Sequence, residues 1–141
     1  MASTRKAILT ATFGQYVKDD PAALARFGGE DKIKQMVAAS VKQANDAGFD
    51  ISNIALNPKD LQDSIERLAA TLKDKQWDGF LIGFGIRGGK EHTPLFEAAV
   101  NTAQEVAPRT RMLFGNAPDD LYNTLQRNFP DVACSVKQGG G

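Results

Sequence analysis

The most continuous apolar run of the chain, residues 80–86, places the strongest constraint on its fold. A strand that is apolar at nearly every position leaves no face for water, so it belongs in the middle of a sheet that is covered on both sides. Helices on both faces are the usual cover of a mainly parallel sheet. The run therefore predicts the central strand of an α/β domain.

The remaining patterns predict strands that alternate with helices. Residues 6–13, 49–56 and 111–116 have the length and composition of strands, and the second segment stops at Pro58, as edge strands do. Apolar residues at helical spacing mark the helical segments. Helix starts are predicted at Pro21, at Asp60 as a cap, and at Pro94 as the first helical residue after Thr93. The predicted helices cover residues 21–26, 30–47, 60–75, 93–108 and the stretch that begins at residue 118.

Parallel strands joined by helices need right-handed crossovers, which limits the possible topologies. We predict a three-layer, doubly wound α/β fold, flavodoxin-like or Rossmann-like, with a four-stranded, mainly parallel sheet in the strand order 2-1-3-4. Such folds bind ligands at the carboxyl ends of the strands, in this chain between the loops after the first and third strands. We expect residues 1–134 to form this single domain and residues 135–141 to form a disordered tail.

Charge and cysteine content argue against several classes of partner. The 17 basic and 17 acidic residues are interspersed, so the chain lacks the basic surface that binds nucleic acid. No apolar stretch approaches the roughly 20 residues of a membrane span. Cys134 is the only cysteine, which rules out an internal disulfide and suits a reducing compartment. We therefore predict a cytoplasmic protein with no nucleic-acid or membrane partner.

The loop after the central strand brings charged and titratable residues close to a helix start. Arg87 offers the planar donor fork that binds carboxylate or phosphate, and Thr93 is expected to cap the helix, whose free amides attract the same charge. Histidine is the side chain suited to proton transfer near neutral pH, so His92 is expected to act as general acid or base, assisted by Glu91. In the alternative interpretation, Glu91 is solvated, Thr93 only caps the helix and His92 lies on a polar turn.

Further polar residues are expected near the same crevice. Thr10 and Thr12 lie near the end of the first strand and Asn116 at the end of the fourth, where they would orient a ligand. Tyr16 belongs to residues 13–29, a connection far longer than the roughly two to six residues usual between a strand and a helix. This segment is either a lid that brings Tyr16 over a ligand or a packed surface cover. Strand propensity for the threonines and turn formation for Asn116 are the more common reasons for such residues.

Residues 83–88 match the G-x-G-x-x-G fingerprint of dinucleotide-binding folds. The fingerprint needs its glycines in the turn into a helix and an acidic residue after the next strand, whereas these glycines begin inside the predicted strand and Asn116 replaces the acid. We therefore favour close packing at Gly83 and Gly85 and a sharp turn at Gly88 and Gly89. A single His and a single Cys argue against a His- or Cys-rich metal site. Because no phosphate-binding loop signature is present either, we predict neither a metal nor a resident cofactor.

Residues 78–129 resemble a group of small microbial α/β proteins of the flavodoxin-like type. The shared features are the strand that ends G-x-G-x-Arg87, the Glu91-His92 pair, a phenylalanine-containing helix, and Asn116 followed by x-Pro after the last strand. The resemblance implies the flavodoxin-like fold. It also points to four site residues: Arg87, Glu91, His92 and Asn116. It implies no activity, because the group has none established.

Three functional hypotheses remain open. In the first, the protein is an enzyme that acts on a small anionic metabolite, anchored by Arg87, with His92 as acid or base. In the second, it is a non-catalytic module that binds a nucleotide or another small ligand. In the third, a helix face forms a homodimer or another protein contact, and no pocket is involved.

Overall fold

The computed structural model of the chain describes residues 5–14, 16 and 21–132. In these residues one parallel sheet has the strand order β2-β1-β3-β4, which confirms the predicted α/β fold and strand order. The second strand lies at an edge, as its ending at a proline predicted. The strands are β1 (Lys6–Thr12), β2 (Phe49–Ala55), β3 (Gly79–Ile82) and β4 (Arg111–Phe114).

Helices join the strands and cover the sheet. Within the described ranges, no helix is long and apolar enough to cross a membrane. The helices are α1 (Pro21–Phe27), α2 (Glu30–Asp46), α3 (Leu61–Asp74), α4 (Phe84–Gly88), α5 (Thr93–Val106) and α6 (Leu121–Asn128). A 3₁₀ turn, Lys90–His92, leads directly into α5.

Both faces of the sheet carry a helical layer, as a buried parallel sheet requires. Helices α2 and α6 pack together on one face, and α3 and α5 pack together on the other. The connection after β1 runs through α2, whereas the connection after β3 leads to α5 on the opposite face. Because β1 and β3 are neighbours, their two connections diverge and leave a crevice at the carboxyl ends of these strands.

Alternation along the central strands divides the hydrophobic core into two layers. Leu9 of β1 and Phe80 of β3 pack toward α3 and α5. Ile8 and Leu81 pack toward α2 and α6. All four side chains are buried. Since successive residues of a strand point to opposite faces, this core packing also decides which residues at the strand ends face the crevice.

The sequence signals at two helix starts are confirmed. The Asp60 carboxylate accepts a hydrogen bond from the Asp63 amide at 3.1 Å, so Asp60 caps α3. Pro21 begins α1, which ends one residue later than predicted. Gly28 and Gly29, with φ of 88° and 103°, then separate α1 from α2 in a conformation that favours glycine.

The central strand is shorter than predicted. Strand β3 ends at Ile82, and the rest of the apolar run forms α4, in which the Gly83 carbonyl oxygen accepts from the Ile86 amide at 3.1 Å. The prediction was wrong because Ile86 is apolar for a different reason: it is fully buried in the core beneath α5 while belonging to a helix. Similarly, β4 ends at Phe114 and not at residue 116.

The predicted capping role of Thr93 is also wrong. Thr93 already has helical backbone angles, φ −54° and ψ −44°, and the residue at the cap position is His92, with no side-chain capping bond. The 3₁₀ turn takes over part of this role, because the Thr93 amide, the first of α5, donates to the Lys90 carbonyl oxygen. Pro94 stands in the first turn of α5, at its second position and not at the predicted first one.

Two predictions concern segments that the structure covers in part or not at all. Of the connection at residues 13–29, the described part is residues 13, 14, 16 and 21–29. The predicted tail, residues 135–141, and Cys134 lie outside the described residues.

The central position of β3 is tested by replacing Phe80, which is fully buried, with alanine. We expect the free energy of unfolding to fall by about 3–5 kcal/mol, because apolar contacts are lost and a cavity remains. Urea denaturation followed by circular dichroism measures this change. Phe27→Ala, at a half-buried position on α1, is the matched control and should cost clearly less. A loss below about 1 kcal/mol for Phe80→Ala would contradict the central placement.

Candidate functional site

A cavity opens between the sheet and α2 at the carboxyl ends of the two central strands. Its volume is about 580 Å³, within the roughly 300–1,000 Å³ typical of small-molecule pockets. The loops after β1, β3 and β4 contribute Gly14, Gly83 and Gly115 to the lining, and α1 contributes Phe27. The cavity thus lies where doubly wound folds bind ligands.

The floor of the cavity consists of side chains on one face of the sheet. Parallel pairing places Asn53 of β2, Thr10 of β1 and Leu81 of β3 side by side. Thr12 is the next residue of β1 on this face. All four residues line the cavity, so the floor is polar along β2 and β1 and apolar along β3.

The wall opposite the sheet is the apolar side of α2. Ile33, Val37 and Val41 have the helical spacing found in the sequence, and all three line the cavity. Toward its carboxyl end, α2 packs onto the sheet through Ala44, which is fully buried. Val37, in contrast, keeps 38% of its surface exposed. Ile33 packs against the core layer beneath α3 and α5 and also lines the cavity. It is therefore at Val37 that the apolar face of α2 is turned to the cavity and not to the core.

The charged side chains on the cavity lining neutralise each other. Glu30 and Lys34, one turn apart on α2, form an ion pair with 3.2 Å between Lys34 Nζ and Glu30 Oε1. The Lys34 side chain is 67% exposed and that of Glu30 is 37% exposed, so the pair adds little stability. This ion pair lies toward solvent. The described residues that line the interior of the cavity therefore carry no net charge.

A polar cluster, Thr10, Thr12 and Asn53, occupies one edge of the floor. Asn53 Oδ1 lies 2.7 Å from Thr10 Oγ1 and 3.1 Å from Thr12 Oγ1, and both hydroxyls donate to it because an amide oxygen carries no proton. The Ser52 carbonyl oxygen is a more distant acceptor for Thr10, at 3.3 Å. Among the described residues, the Asn53 Nδ2 amino group makes no hydrogen bond. The cluster thus presents free donors beside hydroxyl oxygens that can still accept.

Arg87 supports the cavity wall from outside. Its Nε donates to the Gly115 carbonyl oxygen at 3.3 Å, and its Nη2 donates to Asn116 Oδ1 at 2.7 Å. The guanidinium carbon lies 5.1 Å from the centre of the Phe84 ring and 6.0 Å from that of Phe114. The cavity lining includes Gly115 but neither Arg87 nor Asn116. The predicted anion anchor therefore holds the loop after β4.

Further hydrogen bonds hold the same loop. Asn116 Nδ2 donates to Asp120 Oδ2 at 3.2 Å, and the Asp120 carbonyl oxygen accepts from the Thr124 amide at 3.0 Å as α6 begins. On the other side, the buried Ser40 of α2 donates from Oγ to the Pro118 carbonyl oxygen at 2.9 Å. These bonds connect the loop to α2, α4 and α6, which surround the cavity.

The proposed catalytic pair lies next to the cavity but does not line it. The His92 ring packs edge-on against Phe13, with 4.8 Å between ring centres, and its side chain is 12% exposed. His92 Nε2 lies 3.6 Å from Glu91 Oε1, so the structure brings these two residues together. The cavity lining includes Phe13, and neither His92 nor Glu91 belongs to it. Thr93 is exposed on the first turn of α5.

The two ligand-binding residues predicted near β1 have different positions. Thr12 lines the cavity as part of the polar cluster. Tyr16 packs half-buried against the core layer beneath α3 and α5, and its amide donates to the Phe13 carbonyl oxygen at 2.9 Å. Tyr16 therefore does not contact the cavity.

The glycines of residues 83–88 stand at points of close approach. A Cβ atom at Gly83 would lie 3.3 Å from the Ala11 carbonyl oxygen, and one at Gly88 would lie 2.6 Å from the Phe84 ring. Larger residues would therefore push the end of β3 away from β1 or displace Phe84. The distance at Gly83 agrees with the close packing favoured from the sequence, whereas Gly88 belongs to α4 and lies close to Phe84 of the same helix.

Three components of the site were not predicted: Asn53, Ser40 and the α2 wall. Asn53 lies in an edge strand, where a polar residue needs no special explanation. The alternation of residues along β2 was the signal that could have revealed it. Asn53 lies on the same sheet face as Ile51, which packs against the core. The apolar stripe of α2 was recognised, but a stripe alone does not tell whether it covers a core or a cavity.

Metal binding and similarity to known proteins provide no further assignment. Within residues 5–14, 16 and 21–132, no group of three or more His, Cys, Asp or Glu side chains is placed to hold a metal ion. No family model matches the chain, and no curated protein matches it significantly. The functional argument therefore depends on the geometry of the cavity.

A double-mutant cycle tests the structural role of Arg87. Arg87→Ala and Asn116→Ala should each lower the free energy of unfolding by about 1 kcal/mol, because each removes the 2.7 Å hydrogen bond. Since they lose the same bond, the double variant should fall short of the sum by about 0.5 kcal/mol or more. Urea denaturation provides all three values. Strict additivity would show that the two side chains do not interact in solution.

Proposed function

We propose that this protein is a non-catalytic module that binds a small, uncharged and mainly apolar molecule in the cavity between α2 and the sheet. The observation that carries this proposal is the cavity itself, because well-formed apolar pockets with a few polar groups are typical of ligand sites. Ile33, Val37 and Leu81 provide the apolar surface for such a ligand.

The charge distribution supports an uncharged ligand. An anion would need a cation inside the cavity to compensate for its lost hydration. Lys34 is 67% exposed and already paired with Glu30, and the Arg87 guanidinium donates to the loop after β4. An apolar molecule needs no such partner, because its binding is driven by the burial of apolar surface.

The residues on the lining support binding over catalysis. General acid-base catalysis needs a titratable side chain within hydrogen-bond reach of the reacting atoms. The described lining contains no histidine, cysteine or tyrosine, and its acidic and basic members are the exposed Glu30 and Lys34. Phe13, and not its neighbour His92, belongs to the lining.

Blocking the cavity tests the proposal. The position chosen is Gly115, where an added Cβ would meet Leu81 at an ordinary 3.6 Å, so a larger side chain can extend into the cavity without a backbone clash. We expect Gly115→Leu to weaken the binding of Nile red, a neutral apolar dye, by about tenfold or more, which corresponds to 1.4 kcal/mol. Fluorescence titration measures the change.

The matched control is Gln104→Leu, which adds the same side chain at an exposed position of α5 on the opposite face. This variant should bind the dye as the wild type does. Bound dye should also raise the melting temperature, because saturation at a hundred times the dissociation constant adds about 2.7 kcal/mol. Equal dye binding by the wild type and Gly115→Leu would place the dye elsewhere and refute the proposal.

A further inference from the structure

The polar cluster gives the cavity one edge with matched donors and acceptors. Asn53 Oδ1 already accepts from the Thr10 and Thr12 hydroxyls, at 2.7 Å and 3.1 Å. The two protons on Asn53 Nδ2 make no bond with any described residue, so they remain available to an acceptor. Each hydroxyl oxygen whose proton is used in this way keeps lone pairs for a donor.

These free groups lie side by side on the floor of the cavity. Thr10 and Asn53 are register partners in β1 and β2, so their side chains stand next to each other on the same face. A single ligand group that both donates and accepts would satisfy the two residues together. A carboxamide has this composition, because its carbonyl oxygen accepts and its adjacent N–H donates.

We infer that the ligand carries an uncharged amide, either a carboxamide or the lactam edge of a ring, at one end of an apolar body. The inference rests on the proposed function of the cavity. The ligand carbonyl accepts from Asn53 Nδ2, the ligand N–H donates to the oxygen of Thr10 or Thr12, and the apolar body lies between Leu81 and Val37.

A carboxylate fits this edge less well than an amide. It accepts hydrogen bonds but donates none, so it would meet hydroxyl oxygens whose protons are directed to Asn53. It would also lose its hydration beside a floor that contains no cation within the described residues. An amide avoids both costs.

Three probes with the same naphthalene ring distinguish an amide ligand from a purely apolar and from an anionic one. They are naphthalene, 2-naphthamide and 2-naphthoate. We expect 2-naphthamide to bind about tenfold more tightly than naphthalene, because two hydrogen bonds are added. We expect 2-naphthoate to bind more weakly than naphthalene. Isothermal titration calorimetry of the full chain measures the affinity of each probe.

The variant Asn53→Asp removes the free amide donors while an acceptor for both threonine hydroxyls remains. It should abolish the advantage of 2-naphthamide over naphthalene, while an unchanged circular dichroism spectrum shows that the fold is intact. Asn101→Asp, at an exposed position of α5, is the control for the added charge and should retain the advantage.

The possible results separate the inference from the proposed function. If naphthalene binds but 2-naphthamide gains nothing, or keeps its gain in Asn53→Asp, the amide inference is overturned and the binding function stands. Preferred binding of 2-naphthoate likewise overturns it in favour of an anionic ligand. If no probe binds in a manner sensitive to Gly115→Leu, both the inference and the proposed function are overturned.

Discussion

The pairing of β1 with both β2 and β3 is the constraint on which the structure depends. Parallel neighbours need a crossover helix for each connection, and right-handed crossovers determine which face each helix covers. The connection after β1 therefore leads to α2 on one face, and the connection after β3 leads to α5 on the other. The crevice between the two loops follows from this divergence and needs no dedicated residues.

What turns the crevice into a cavity is the incomplete packing of α2. The helix packs closely on the sheet at Ala44, near its carboxyl end, whereas Val37, closer to its amino end, lines the cavity and keeps 38% of its surface exposed. On the β4 side, Arg87 and Ser40 hold the bordering loop through its backbone carbonyl groups. Side chains of the surrounding helices α2 and α4 thus hold the loop that borders the cavity.

The fold was largely accessible from the sequence because its signals are local or periodic. The apolar central strand, the Asp60 cap and the proline after β2 each act within a few residues, and each was interpreted correctly. The exact end of β3 was not accessible, since Ile86 has the same apolar character in α4 as it would have in a strand.

The site was only partly accessible, because side-chain partners distant in sequence decide it. Arg87 has the chemistry of an anion anchor, but its partner is Asn116, 29 positions away, and no local pattern reveals that bond. The shape of the cavity leads to another consequence. At Gly115 an added Cβ meets one neighbouring side chain at a comfortable distance, and Val37 is already partly exposed. The selectivity of the cavity for ligand size can therefore evolve at these two positions almost independently of the stability of the fold.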